Sequence, residues 1–145
     1  MIRKLNTSDI DKVMDIWIKS TIKAHNFINK EYWQNSYDTV KNVYIPISDT
    51  FVYEDDEGIK GFISIINNDF IGALFVDTYY QGNGIGKKLI NYAMNKYDDL
   101  KLAVYKENKT SVKFYLNRGF KIVSEQINDD SGHSEYIMQN SLNKI

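Results

Sequence analysis

The chain has 145 residues, 43% of them hydrophobic, and a formal net charge of -1. That length suits one core, so a single domain over residues 1–145 is expected. The balanced charge leaves the chain as a whole no nucleic-acid footprint, and the absence of cysteine excludes disulfides, a thiolate nucleophile and Cys-based metal centres.

His25 and His133 are the only histidines, too few for a His-rich metal site, so no metal is expected. The first residues, MIRKLNTSDIDKV, are charged and contain no apolar signal-type stretch, and no long uncharged apolar run follows. The expectation is a cytoplasmic protein without membrane association.

Along the chain, IRKL reads as a short strand and NTSD as a helix cap. Val13, Ile16, Trp17, Ser20 and Ala24 then recur at three- and four-residue spacing and predict a helix with one apolar or small face. A second helix is predicted from about Asn29 to Val43, with Pro46 closing the helical region. TFVYE, IKGFISII and FIGALFV are strands separated by the short turns DDEG and NND, which implies an antiparallel meander. After a glycine loop, Ile85, Leu89, Ala93 and Tyr97, widened by Ile90 and Met94, mark a third helix. LKLAVY is a strand, NKTSVKFYLNRG a short helix capped by Asn108 and ended by Gly119, and FKIVSEQI with HSEYIMQNSL a closing hairpin. The order β, αα, βββ, α, β, α, ββ is an α+β pattern: a mixed sheet with helices packed on it.

The loop YYQGNGIGKKL has three glycines at alternate positions. A Walker A loop needs four residues between its glycines and a hydroxyl after the lysine. Here three residues separate Gly82 from Gly86, and Lys88 follows Lys87. A Rossmann fingerprint needs G-x-G-x-x-G, whereas Gly82, Gly84 and Gly86 fall one residue short, and the preceding strand belongs to a meander. The physics still favours an anion. A helix starting near Gly84 offers unpaired N–H groups and a partial positive charge, and Lys87 and Lys88 on its first turn are relieved by a nearby negative ligand. A plain turn with a tight helix–sheet contact is the alternative.

Gln81, Gly84 and Gly86 fit Q/R-x-x-G-x-G/A, and NKTSVKFYLNRGF supplies Asn108, Ser111, Phe114, Tyr115, Gly119 and Phe120 of a second motif, N-x-x-S/A-x-x-F/L-Y-x-x-x-G-F. Both motifs, in this order and separated by a helix and a strand, resemble the GCN5-related N-acetyltransferases, the GNAT superfamily. The resemblance covers essentially the whole chain, and IWIKSTIKAHNFI resembles most a small bacterial branch of YjaB-type proteins. It implies the GNAT fold: a central, twisted, mostly antiparallel sheet flanked by about four helices. It implies acetyl-CoA as co-substrate, a primary amine as acceptor, direct transfer in a ternary complex, and, since the family often dimerises, a homodimer.

Residue roles follow from the same resemblance. Leu74, Phe75 and Val76 end the strand that splays beside the pantetheine arm, and the Val76 N–H would polarise the thioester carbonyl. Gln81 would bind the cofactor, and Gly82, Asn83, Gly84, Ile85, Gly86 and Lys87 would hold its pyrophosphate by backbone N–H groups. Asn108 would bond the pantetheine or the strand–helix junction, and Tyr115 would protonate the departing thiolate. Some members carry a basic Glu five residues before the Asn, where this chain has Ala103. His25 is the candidate base in its place, with Asp77 as the other choice. Trp17, Tyr32, Trp33 and Tyr37 lie in the region that would wall the acceptor site. The competing functions are a catalytically weak acyl-CoA sensor, a nucleotide-binding module and a partner-binding domain.

Overall fold

A computed structural model describes residues 1–140. Ser141 and Leu142, the end of the expected last strand, lie outside the described residues. Seven strands form one sheet in the order β1-β2-β3-β4-β5-β7-β6: β1 Ile2–Lys4, β2 Asp49–Asp55, β3 Gly58–Ile66, β4 Phe70–Val76, β5 Lys101–Tyr105, β6 Phe120–Ile127 and β7 Ser134–Asn140. Every neighbouring pair is antiparallel except β4–β5, which is parallel. This is the expected meander and closing hairpin in a mixed sheet, joined by one parallel crossover from β4 to β5. The β3–β4 turn places Asn67 and Asn68 both at positive φ, the conformation that tight two-residue hairpins demand and asparagine tolerates.

Successive residues of a strand face opposite sides of the sheet, which gives two cores. On one face α1 (Ile10–Ala24) buries Val13, Met14, Ile16 and Trp17 against Val52, Ile59 and Phe62. On the other, α4 (Ile85–Lys96) buries Leu89, Ile90 and Ala93 against Ile63, Ile65 and Leu102, beside Tyr115 of α5 (Lys109–Asn117). Each such fully buried aliphatic side chain contributes about 1.5–3 kcal/mol. The cap region NTSD forms a 3-10 turn, Thr7–Asp9, whose Asp9 carboxylate accepts the Asn6 N–H (2.7 Å) and two bonds from Arg3. Arg3 holds that carboxyl below its ordinary range.

The second helical region runs further than expected. α2 (Lys30–Thr39) passes through a π turn at Val40–Tyr44 into a last turn, α3 (Ile45–Ile47). The Ile45 N–H closes the wide turn on the Val40 carbonyl. Pro46 therefore sits inside the final turn of the run, which ends two residues later at Ser48, and does not close the helix from outside. Counted as one continuous run, α2 to α3 makes four helical bodies with α1, α4 and α5. Among the described residues, no helix is long and apolar enough to cross a membrane.

Gly61 sets how closely α4 approaches the sheet. A Cβ there would lie 3.1 Å from the Phe75 carbonyl oxygen and 3.2 Å from both Ile85 and Leu89. Gly61→Ala is therefore expected to destabilise the fold by about 1–3 kcal/mol through overpacking, measured by denaturant unfolding. An unchanged midpoint would show that α4 can retreat freely.

Candidate active site

The parallel pair β4–β5 holds only at Phe70↔Lys101 and Ile71↔Leu102, after which the two strands part. β5 continues along its full length with β7, and β4 continues with β3 to Val76. At the end of β4, the Asp77 N–H donates to the Lys60 carbonyl of β3 at 2.8 Å. Backbone groups alternate edges along a strand, so the N–H and C=O of Val76, one residue earlier, face the parted edge. The carbonyl is occupied there: it accepts from Ser20 Oγ of α1 (3.1 Å) and from Gln81 Nε2 (3.2 Å). The Val76 N–H, and by the same alternation that of Leu74, is left facing the gap.

The glycine loop sits directly above. Gly82 and Gly84 have φ of 86° and 80°, and Gly84 caps α4. The first intrahelical bond runs from the Lys88 N–H to the Gly84 carbonyl (3.1 Å), so the amides of Ile85, Gly86 and Lys87 precede it unpaired. Among the described residues, no atom lies within 4 Å of where a Cβ at Gly82 or Gly84 would stand, which leaves the cradle open to a ligand. Lys60, under the loop, pairs with Asp55 and Glu57 and places its ammonium 4.2 Å from the Tyr80 ring, anchoring the loop's first turn.

These groups line one cleft of about 730 Å³. Leu74, Phe75, Val76, Gln81, Gly82, Gly84, Ile85, Gly86, Lys87, Asn108 and Tyr115 all line it. Asn83 does not: its side-chain amide turns back to the Tyr80 carbonyl (3.1 Å). Asn108 caps α5 by accepting the Ser111 N–H (3.3 Å). Tyr115 is buried, yet among the described residues its hydroxyl has no hydrogen-bond partner. Burial pushes the phenol well above its usual range, so it keeps its proton and can only donate it.

His25 stands behind this wall. It caps the end of α1, buried, with Nδ1 2.8 Å from the Thr21 carbonyl and Nε2 3.3 Å from Asn108 Nδ2. Trp33, Tyr105 and Phe27 pack around the ring. Asp77 is turned away as well, accepting the Tyr79 N–H (3.0 Å) and pairing with Lys12 (3.4 Å). Burial pushes the His25 imidazole below its ordinary 6.5, against the opposing bond to Thr21. The unfolded chain therefore takes up this proton first. The stability that His25 contributes is complete above about pH 6.5 and is lost as pH falls through the depressed folded value. The melting temperature should drop more between about pH 7 and 5 in the wild type than in His25→Gln, and superimposable curves would refute it.

Ser20, Lys23 and Asn26 of the α1 end, and Glu107, also line the cleft and were missed from sequence. Ser20 was legible only as a small member of an apolar stripe. Among the described residues, no group of three His, Cys, Asp or Glu side chains is arranged to hold a metal.

A sheet parted between two parallel strands, beside a phosphate-type loop and a proton-bearing tyrosine, is the architecture of a GCN5-related acyltransferase. A family model described as an acetyltransferase (GNAT) domain matches residues 18–139, and the chain belongs to that family. Its relatives include the peptidyl-lysine N-acetyltransferase YiaC of Escherichia coli (strain K12), 33% identical over 138 residues that cover 95% of this chain and 94% of YiaC. The peptidyl-lysine N-acetyltransferase YjaB of the same organism is 26% identical over 131 residues, covering 90% of this chain and 88% of YjaB. The solution structure of apo-form YjaB superposes with a TM-score of 0.84 at 24% identity, covering 97% of this chain and 96% of that one. The chain is thus an N-acetyltransferase-type enzyme of the YjaB-like branch.

Proposed function

We propose that this enzyme transfers the acetyl group of acetyl-CoA directly to a primary amine, with the lysine side chain of a peptide as the acceptor class. The observation that carries the reading is the parted β4 edge, where the Val76 N–H faces the same cleft as the glycine loop and Tyr115. The residues present fit the co-substrate: open amides for phosphates at one end and a free strand edge for an amide-bearing arm along the middle. Bound there, acetyl-CoA supplies the activated thioester. Ile85, Gly86 and Lys87 would hold the pyrophosphate through their unpaired amides. The Val76 N–H would donate to the thioester carbonyl oxygen, where negative charge develops. The neutral amine would attack without an acyl-enzyme, its C–N bond forming as the C–S bond breaks; Tyr115 would give its hydroxyl proton to the departing sulfur and be restored through water by the proton the new amide nitrogen sheds, in keeping with a chain that has no cysteine. The lysine preference is supported by the names of YiaC and YjaB.

The test is free-thiol release from acetyl-CoA across lysine peptides, polyamines, amino acids and aminoglycosides, with initial rates measured at varied concentrations of both substrates. Lysine peptides are expected to turn over fastest, with intersecting double-reciprocal lines. Parallel lines would overturn the ternary complex, and a faster small amine would overturn the acceptor class.

A further inference from the structure

We infer that His25 is a positioning residue, which acts through Asn108 to present a single amide hydrogen to the cleft. The inference rests on reading the cleft as the acetyl-CoA site.

Two Thr21 oxygens face His25 Nδ1: the carbonyl at 2.8 Å, which can only accept, and the hydroxyl at 3.1 Å, which can accept as well, so the shorter contact places the proton on Nδ1. A neutral imidazole then has a lone pair on Nε2, and Asn108 Nδ2 at 3.3 Å donates to it. At its other end, Asn108 Oδ1 accepts the Ser111 N–H. Both ends of the amide are thereby assigned, which a helix cap alone would not achieve. Asn108 is 8% exposed and lines the cleft, so the second Nδ2 hydrogen is the polar group left for a ligand. It is a donor, matched to a carbonyl oxygen of the bound arm.

The ring is itself held in register. Trp33 of α2 lies tilted by 30° against it at 5.0 Å, and Tyr105 of β5 and Phe27 meet it edge-on at 5.2 and 5.8 Å. The titratable groups around it are few. Tyr105 turns its hydroxyl to Ser131, Glu135 lies opposite Tyr105 in the sheet, and His133 lies beyond Phe27 and Tyr105, paired with Glu107. On the α2 side, Asp130 is bound to Tyr32. Among the described residues no carboxylate bonds the His25 ring, so nothing there favours a second proton on it. Protonating Nε2 would set an N–H against an N–H. Asn108 could relieve this only by turning over, which would surrender the cap on α5.

The test is calorimetric titration of acetyl-CoA into the wild type, His25→Phe and His25→Gln at several pH values. His25→Phe keeps a ring but removes the acceptor, and should weaken binding about tenfold, the scale of one buried hydrogen bond lost. His25→Gln restores an acceptor that does not titrate and should recover most of the affinity. Wild-type affinity should fall between about pH 7 and 5.5, and His25→Gln should lack that part of the fall. Every group outside position 25 is common to the two proteins, so the difference between the two profiles belongs to His25. Coincident profiles, or wild-type affinity in His25→Phe, would overturn the inference and leave the cleft assignment intact. A wild type that binds no acetyl-CoA would instead overturn the reading of the cleft. Should His25→Phe fail to fold, imidazole ¹⁵N spectra of the wild type decide: a protonated Nδ1 and bare Nε2 at about pH 8 are expected, and the opposite tautomer refutes the assignment.

Discussion

Tyr115→Phe should slow turnover by about ten- to a thousand-fold while leaving the fold and acetyl-CoA affinity intact, a range set by typical acid–base contributions of ~10²–10⁴. The lower end of the range has a physical reason. A phenol near pKa ~10 is already a weaker acid than a thiol near 8.5, and burial raises the Tyr115 phenol further, so its proton helps only once the amine has attacked. The same burial keeps the hydroxyl protonated across the working pH range, which makes the donor available whatever the buffer. Removing one oxygen should cost little stability, because among the described residues that hydroxyl bonds nothing and the ring keeps its contact with Phe120 at 5.6 Å. The measurement is steady-state thiol release with matched melting and binding controls. Undiminished turnover would demote Tyr115 to packing, and a parallel loss of affinity would make it a binding residue.

Gly84→Val should abolish the stabilisation that acetyl-CoA confers. At one hundred times its dissociation constant a ligand adds about 2.7 kcal/mol. For a chain of this length that is a melting shift of roughly 5–10 °C in the wild type. The obstacle to valine is conformational. Space for a Cβ exists, since no atom of the described residues lies within 4 Å, but the residue sits at a φ of 80° that β-branched side chains avoid. The variant should therefore lose about 1–3 kcal/mol of stability by itself, as the loop leaves the conformation that aims its amides. The ligand-induced shift must accordingly be read within each variant. A full shift in Gly84→Val, or a shift with ATP or NADH but none with acetyl-CoA in the wild type, would sink the loop assignment.

The element order was legible because each signal is local. Alternation marked the strands, three- and four-residue spacing marked the helices, and the Asn67-Asn68 and Asp56-Glu57 turns joined strands too closely for anything but antiparallel pairing. The π turn at Val40–Tyr44 was not legible, since one wide turn within a helical run leaves no periodic mark of its own in the sequence. The cleft's loop, its cap and its tyrosine were readable from two motifs. What escaped was everything that depends on distant pairs. Ser20 bonds a carbonyl 56 residues away, and His25 meets an asparagine 83 residues away. His25 was singled out for its chemistry, and only the geometry shows that its ring nitrogens face Thr21 and Asn108. Gly61 gave no sign that three atoms crowd it.

The two-residue contact between β4 and β5 has a consequence for how the protein is made. A ribosome delivers β4 and the glycine loop early, already framed by β3, but β5 has little to hold it until β7 arrives beside it. One wall of the cleft is thus vectorially late: Ser134–Asn140 must leave the exit tunnel before Asn108 and Tyr115 can be set opposite Val76. Arrested nascent chains ending before Ser134 should accordingly gain no protease resistance from acetyl-CoA, whereas chains extended past Asn140 and clear of the tunnel should gain it in a single step.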